Sequence, residues 1–289
     1  MRDRHSPQTY TGGIIYSSII LISWLAAGIL IFYVGYLVFR GFGPLVRFFR
    51  DGAFAETDNI LLPLWFRTLS LLFGGALLAL PLAIGAGVYL SEYARENRLK
   101  QWMLAAVGGL AEMPPIVYGL FGWGALAPYF GEGKQTLIFL LTSAVWLLPQ
   151  LVSVTYSALK EVPVSFRRDS LALGGSRWQT TWGALMPCAG RFLAAEALGG
   201  MARVGGETAP VIMIAAAWPS FHGQSLSTLP YHLYRSVVES GEVASPHHFG
   251  TALLLVLTSV CLQGAALRLK RTGDSLAGSV HERERGRWY

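Results

Sequence analysis

Charged side chains are scarce in this sequence. Asp, Glu, Lys and Arg together make up 14% of the 289 residues, whereas 53% of the residues are hydrophobic. The mean hydropathy is +0.43. A soluble domain of this length cannot bury so many apolar side chains in one core, but a lipid bilayer covers them. The composition therefore excludes an ordinary soluble protein and predicts an integral membrane protein.

The usual marks of a metal centre, a disulfide framework and a nucleotide site are also missing. The two cysteines, Cys188 and Cys261, lie in apolar runs and have no metal-ligand spacing. The sequence contains no G-x-x-x-x-G-K-[ST] phosphate-binding loop. It also offers no convincing nucleophile, base or metal cluster for a membrane enzyme. We therefore expect no catalytic residues, no bound metal and no cofactor in this chain.

Long apolar runs are what the sequence contains instead. A spanning helix needs about 20 predominantly apolar residues, and six stretches qualify: residues 14–39, 69–90, 103–127, 137–159, 192–217 and 249–267. The first is longer than the roughly 7–15 apolar residues of a signal peptide, so we interpret it as a retained helix. The sequence predicts an all-α, polytopic membrane helix bundle with about six transmembrane helices.

The same runs divide the chain into three parts. Residues 1–63 hold a short polar head, the first helix and an outer segment, and residues 64–270 hold five helices. Residues 271–289 form a charged tail that we expect to be disordered or lightly ordered, without regular structure. With both termini in the cytoplasm, 16 of the 23 Lys and Arg residues lie on the inner side and six on the outer side, as the positive-inside rule requires. Four of those six lie between residues 40 and 67, where residues 45–49 are interpreted as a short interfacial piece.

The fifth span carries Glu196, Arg203 and Glu207. On one continuous helix of 3.6 residues per turn, these spacings place the three side chains within about 40° of one another. A charge at mid-membrane costs about 2.5–3.5 kcal/mol on insertion scales, so an arginine facing lipid is disfavoured. Two interpretations remain: a structural ion pair between Arg203 and Glu207, or a charged lining of a solute path. An arginine there suits an anion, because its planar fork matches phosphate or carboxylate.

Other polar residues lie in or between the apolar runs. Glu112 lies inside the third span, and a structural ion pair with an arginine of another helix is the favoured interpretation. The outer segment 219–246 and its flank contain four histidines, His222, His232, His247 and His248. Metal binding is disfavoured for them because no cysteine or close carboxylate accompanies them. We interpret this segment as a surface for an outer partner, with a gate near residues 229–231.

The inner segment 160–187 is too long for a simple hairpin. Pro163 favours a helix start, Gly174 and Gly175 favour a helix end, and Ser176 with Gln179 has the spacing of a capping box. The sequence thus predicts two short helices that meet at a glycine turn. Their apolar side chains indicate either a docking element for a cytoplasmic partner or a helix pair on lipid headgroups; these side chains are Leu171, Leu173, Trp178 and Trp182.

Three segments resemble the permease subunits of bacterial ATP-binding cassette (ABC) importers. Gly174, followed eleven and thirteen residues later by Leu185 and Pro187, is similar to the "EAA" loop that inserts into the ATPase in that family. Residues 113–122 (MPPIVYGLFG) resemble the P-S-I-V-x-G-L-F signature of phosphate permeases, and residues 202–210 (ARVGGETAP) resemble their A-R-x-x-G-E-T-A-P signature. The final T-A-P is typical of the PstA-type subunit rather than its PstC-type partner. The resemblance covers approximately residues 65–267.

The resemblance implies a MetI-like permease core of five helices plus an N-terminal one, in a bacterial inner membrane. The chain would form the phosphate path of an ATP-driven phosphate importer without being an enzyme itself. Its implied partners are a PstC-type permease, two cytoplasmic ATPase subunits that bind ATP and Mg²⁺, and a periplasmic phosphate-binding protein. Another oxyanion (phosphonate, tungstate or sulfate) and a non-transporting signalling role are the alternatives. Homodimeric and heterodimeric permease pairs both stay open.

The resemblance also implies roles for particular residues. The implied substrate path contains Arg203 and Glu207, and the polar stripe adds Glu196. The implied ATPase-coupling residues are Arg168, Asp169, Ser170, Gly174, Leu185 and Pro187, and the implied signature or gate residues are Pro114, Gly119 and Leu120. The chain departs from the family pattern at several positions: Arg168, Asp169 and Ser170 replace the Glu-Ala-Ala triplet, Pro115 replaces a serine, and Glu112 replaces a small residue. We therefore expect altered fine contacts with the ATPase but the same loop.

Overall fold

A computed structural model of the chain describes residues 8–51, 61–130, 133–216, 228–240 and 246–285. Every regular element in these ranges is helical, which confirms the all-α class. The α-helices are α1 (Gln8–Asp51), α2 (Leu61–Val88), α3 (Arg98–Ala111), α4 (Pro115–Phe121), α5 (Ala127–Phe130), α6 (Gln135–Glu161), α7 (Val164–Ala172), α8 (Arg177–Thr180), α9 (Met186–Gly206), α10 (Ala209–Ala216), α11 (Leu229–Ser240) and α12 (Pro246–Arg285). Three π-helical turns lie at Tyr89–Tyr93, Gly122–Leu126 and Thr181–Leu185.

Four of these helices are long and apolar enough to cross a membrane: Tyr16–Arg47, Leu61–Tyr93, Gln135–Glu161 and His248–Arg271. The pair Arg98–Ala111 and Pro115–Phe130 makes a fifth if it counts as one span, and it is bent by 99°. The bundle of membrane helices predicted from the sequence is therefore confirmed.

Two predicted spans are not continuous helices, which corrects the sequence interpretation. Residues 103–127 break at Glu112–Pro114, because Pro115 has no N–H for the preceding turn and disfavours helical geometry at Pro114. Residues 192–217 break after Gly206, where Glu207 has extended geometry (φ −87°, ψ 124°). Each break is followed by a short helix, α4 or α10.

Two further segments, residues 45–49 and the tail, also differ from the prediction. Residues 45–49 are not a separate interfacial piece but the continuation of α1, which runs through Pro44 to Asp51. The tail was expected to lack regular structure, yet α12 continues to Arg285. Both helices continue into polar and charged sequence beyond the apolar run. A hydropathy pattern therefore locates the membrane-embedded part of a helix but does not locate its ends.

The centre of the bundle is the pair α2 and α6, which lie parallel. Gly75 of α2 contacts Ser143 of α6, and Gly87 contacts Thr155. The second contact lies twelve residues further along both helices, so the helices run in the same direction. Glycine has no Cβ, so the two backbones approach closely at both points. The apolar core around this pair includes Leu72, Ala79, Leu147, Leu151 and Met201.

The other long helices pack around this pair. α9 packs against α6 and α12, and α12 runs antiparallel to α9, since Gly199 lies beside Gln263 and Glu196 beside Lys270. α1 crosses α12 where Gly41 approaches the carbonyl of Phe249. The ends of α2 and α6, the loop α7–α8, and the start of α9 therefore gather on one face of the bundle, here called the coupling face.

Candidate functional site

The two signature segments pack directly against each other. A methyl group added at Gly119 of α4 would lie 2.7 Å from Pro210 Cα and 3.0 Å from Met213 Cβ of α10. Farther along, Gly122 lies close to Ile214, so α4 and α10 are parallel and the breaks before them lie at a similar level. Gly119 and Pro210 lie 91 positions apart in the sequence, and only the fold brings the two segments together. Pro114 caps α4, and Leu120 is exposed beside Gly119.

Tyr118 holds the bend between α3 and α4. Its hydroxyl donates a hydrogen bond of 2.7 Å to the carbonyl oxygen of Leu110 on α3. Its ring stacks on Trp146 of α6, with centroids 6.2 Å apart. The same carbonyl also accepts the backbone N–H of Met113 at 3.1 Å, so Tyr118 adds a second hydrogen bond at the end of α3.

Arg203 and Glu207 flank the second break and do not form the predicted helical pair. The expectation of an i,i+4 pair on one continuous helix is wrong, because α9 ends at Gly206 and Glu207 is its extended C-cap residue. Arg203 is exposed and Glu207 is half-buried. Neither side chain has an ion-pair partner in the part of the chain that the structure describes.

The break after α9 lies near the middle of the bundle. Gly200, three residues before Arg203, lies against Leu147 in the middle of α6, 2.9 Å from the position of an added methyl group. Gly205, two residues after Arg203, lies at the same distance from Leu72 of α2. The structure therefore places two charged groups, Arg203 and Glu207, at mid-depth beside a helix break.

Glu196 lies apart from that pair, toward the coupling face. Its Oε1 is 3.4 Å from Lys270 Nζ on α12, and the same Nζ lies 4.8 Å from the centre of the Phe192 ring. Glu196 thus joins α9 to α12, a structural contact that the local spacing of charges did not reveal.

Glu112, at the C-terminal end of α3, is exposed and has no ionic partner among the described residues.

The inner segment 160–187, here called the coupling loop, folds as the sequence predicts. Gly174 has φ +83°, a left-handed conformation that favours glycine. The N–H of Gly175 donates to the Ser170 carbonyl and that of Gly174 to the Leu171 carbonyl, the two bonds of a Schellman motif. Ser176 and Gln179 form the capping box at the start of α8, with bonds of 2.8 and 3.2 Å.

The loop presents an apolar surface outward. Leu173 is 90% exposed and Trp178 is 63% exposed, and the Trp178 ring packs against Trp182 with centroids 5.3 Å apart. Arg168, Asp169 and Pro187 are exposed as well, whereas Ser170 is half-buried and bonds to Thr180. Leu185 is different: it is fully buried among Leu159, Ala189 and their neighbours, so it fastens the loop to the core from below.

The sequence interpretation missed two groups of paired charges at the coupling face, one around Glu92 and one around Glu96. Arg167 donates to both carboxylate oxygens of Glu92, at 3.1 Å from Nε and 2.8 Å from Nη2. Lys100, only 2% exposed, pairs with Glu96 at 2.7 Å, and Lys160 lies 3.7 Å from the same carboxylate. The position of Glu92 at the end of an apolar span could have identified it from the sequence, but its partner Arg167 is 75 residues away.

The end of the bundle opposite the coupling face carries two of the predicted histidines. His232 of α11 and His248 of α12 each have a buried Nδ1 without a hydrogen-bond partner. Burial, with the positive charges of Arg235 and His248, lowers the pKa of His232 below its usual 6.5. His222 lies outside the described residues, as do the side chain of His247 and half of the segment 219–246. The described residues contain no cluster of three metal ligands.

Comparison with known proteins points to one group of transporters. No family model matches the chain. A probable ABC transporter permease protein of Bacillus subtilis, YqgI, is 32% identical over 198 residues, which cover 68% of this chain and 67% of YqgI. The phosphate transport system permease protein PstA 1 of Mycobacterium tuberculosis is 30% identical over 200 residues, covering 68% and 65%. The phosphate permease PstC of Mycobacterium leprae is 30% identical over 176 residues, covering 50% and 55%. The chain thus spans between about half and two thirds of these relatives' lengths.

Solved structures share the fold at low identity. A methionine ABC transporter, MetNI, in inward-facing conformations matches with a TM-score of 0.53 and 19% identity, covering 76% of this chain and 99% of that chain. A bacterial alginate ABC transporter in complex with a periplasmic protein matches with a TM-score of 0.55 and 14% identity, covering 90% and 97%. The relatives in sequence show that the chain belongs to the ABC transporter permeases and that phosphate permeases of the PstA type are similar to it, and the solved structures show a MetI-like fold.

Proposed function

We propose that this chain is the transmembrane permease subunit of an ATP-driven phosphate importer. It forms part of the phosphate path and passes on the movements of a cytoplasmic ATPase. The packing of Gly119 on Pro210 is the observation that carries the proposal. It joins two distant signature segments at mid-depth, beside Arg203 and Glu207.

The exposure of Arg203 supports a path at this place. An arginine facing lipid at mid-membrane costs about 2.5–3.5 kcal/mol on insertion scales. Arg203 is exposed on this chain alone, so a second permease subunit or an aqueous path must cover it in the working transporter. A permease pair that meets at this surface places Arg203 between the two subunits.

The chemistry at the break suits an anion that binds and leaves. The guanidinium of Arg203 can donate two parallel hydrogen bonds to a phosphate. The carboxylate of Glu207 repels the anion and offers the guanidinium a competing partner. Because Glu207 follows Arg203 by only four residues, its negative charge keeps the site from holding phosphate too tightly for release.

Energy comes from outside the chain. The apolar surface of the coupling loop, with Leu173 and Trp178 at its tip, docks into the ATPase, which binds ATP and Mg²⁺. The fold supports this direction of coupling, because the loop lies on the face where α2 and α6 end. The start of α1 and the end of α12 point to that face, which agrees with cytoplasmic termini in a bacterial inner membrane.

The test is uptake of labelled phosphate at low concentration by cells whose only copy of this chain is wild type, Arg203→Gln or Arg191→Gln. Arg191 is a matched control, because it is an exposed arginine on the same helix near the coupling face. We expect wild type and Arg191→Gln to restore uptake and Arg203→Gln to abolish it. Membrane abundance is measured by immunoblot.

Other outcomes reject specific parts of the proposal. If uptake never depends on the chain, phosphate is the wrong substrate, and the same cells are tested with sulfate, tungstate and phosphonate. If Arg203→Gln transports normally at equal abundance, Arg203 is structural. A role in signalling without transport would survive the substitution, whereas anion transport would not.

A further inference from the structure

We infer that Arg167 and Glu92 form a clamp that makes the coupling helix α7 move together with the ends of α2 and α6. The two residues are then positioning residues for energy coupling. The inference rests on the proposed function, since it states how movement of the ATPase reaches the membrane helices. It does not depend on which anion is carried.

The bonds of Arg167 connect three elements. Its Nε and Nη2 donate to the carboxylate of Glu92, which lies in the π-helical turn after α2. Its Nη1 donates to the carbonyl oxygen of Val162 at 2.8 Å, and its Nη2 also donates to the carbonyl oxygen of Leu159. These carbonyls belong to the end of α6 and the residue after it. One side chain of α7 therefore ties the ends of both central helices.

Burial makes the clamp stiff. Arg167 is 20% exposed and Glu92 is 14% exposed, so water competes weakly for their bonds. The pairing is bidentate, which fixes direction as well as distance. If either side chain is removed, the other charge stays partly buried without its partner, a state that costs more than the pair itself contributes.

An apolar layer beneath the clamp prevents α7 from sliding on the bundle. Phe166, next to Arg167, packs on a cluster that contains Val88 of α2, Leu159 of α6 and Leu185 before α9. The clamp and this cluster together attach the inner side of α7 to the bundle, while Arg168 and Asp169 stay exposed on its outer side. A push on α7 must therefore move α2, α6 and α9 or break these contacts.

The clamp also orients the docking surface. Successive residues of a helix differ by about 100° in direction. With Arg167 held inward, Arg168 and Asp169 point outward, where both are exposed. These two residues replace the usual glutamate and alanine of the family pattern, so their outward direction sets what the ATPase meets.

The experiment uses the assembled transporter in proteoliposomes and measures both ATP hydrolysis and labelled phosphate import. The variants are Glu92→Gln, which keeps the side-chain shape, Arg167→Gln, and the two together. Glu161→Gln is the matched control, because Glu161 is an exposed carboxylate at the end of α6 without a partner among the described residues. We expect phosphate imported per ATP to fall about tenfold in each single variant, while hydrolysis continues. The double variant should be no worse than either single one, since both remove the same interaction.

A purely structural role predicts a different result. Assembly, hydrolysis and import would then fall together, with the import per ATP unchanged, and the inference would be overturned. Import at the wild-type ratio in Glu92→Gln would overturn it too. Hydrogen exchange of residues 164–172 and 89–93 is measured in parallel, because it needs no substrate. Faster exchange in both segments of Arg167→Gln is expected, and unchanged exchange contradicts the clamp. If wild type imports no phosphate but the exchange result holds, the proposed substrate fails and the clamp does not.

Discussion

Single glycines decide how closely the functional segments approach. Gly119 is the clearest case, because the backbone of Pro210 occupies the space that any side chain at position 119 would need. Backbone atoms cannot rotate away as the end of a side chain can. Gly174 acts differently: its neighbourhood is open, and its left-handed φ of +83° is what excludes other residues.

Gly119→Ala should weaken the contact between α4 and α10. The added Cβ would lie 2.7 Å from Pro210 Cα, and overpacking of this kind costs about 1–3 kcal/mol. We expect a lower thermal midpoint of the purified transporter in detergent and reduced phosphate uptake. Gly124→Ala is the control, because nothing lies within 4 Å of its added Cβ. Equal midpoints for the two variants would show that the approach at Gly119 is not tight.

Two broken spans and the pair α11 and α12 hold polar groups inside the bundle. The breaks before α4 and α10 place polar groups at mid-depth, where a continuous helix would keep its backbone groups bonded. At the end of the bundle opposite the coupling face, α11 packs on α12, and the Nδ1 atoms of His232 and His248 are buried. Because burial and the nearby positive charges lower the pKa of His232, the folded chain binds a proton there less readily than the unfolded chain.

Acidification should therefore loosen the packing of α11 on α12. The neutral form of His232 is favoured by the fold, so its stabilising contribution is present above its usual pKa of 6.5 and is lost as the pH falls through the lowered pKa. We expect the thermal midpoint to fall between about pH 7.5 and about pH 5, and to fall less in His232→Gln. An identical pH dependence in wild type and variant would contradict the role of His232.

The isolated chain is incomplete as a membrane protein. It exposes Arg203 at mid-depth of the bundle, while most of its outward surface is apolar, including Phe73, Leu77 and Leu82. Such a charge is tolerated only where a partner or water covers it. Function and stability should therefore place opposite demands on this position.

Arg203→Leu should stabilise the chain when it is expressed alone and inactivate the assembled transporter. Removal of an uncovered mid-membrane charge is worth up to about 2.5–3.5 kcal/mol. We expect a longer lifetime in membranes after synthesis is stopped, measured by pulse-chase, and no phosphate uptake in the complete system. Arg191→Leu, close to the coupling face, should change the lifetime much less. A shorter lifetime for Arg203→Leu would show that Arg203 is covered within this chain.

Much of the coupling loop was predictable because its signals are local. A left-handed glycine, a capping box and a proline at a helix start each involve residues within about four positions, and backbone geometry at that range depends little on the remaining chain. The polar stripe of Glu196, Arg203 and Glu207 was predicted less well. It assumed one continuous helix, whereas α9 ends at Gly206 and Glu196 bonds to Lys270 instead.

By itself the sequence determined that this is an all-α membrane protein, where its apolar runs lie, and how its coupling loop turns. The fixed thickness of the bilayer makes a spanning run recognisable by its length, and local backbone geometry depends mainly on neighbouring residues. Only the tertiary structure decided that Gly119 meets Pro210, that Glu196 pairs with Lys270, and that Arg167 binds Glu92. These contacts join residues between 74 and 91 positions apart. No local pattern encodes such pairs, because they arise from the angles at which broken helices pack. Those angles place two charged groups at mid-depth and fasten the coupling helix to the bundle.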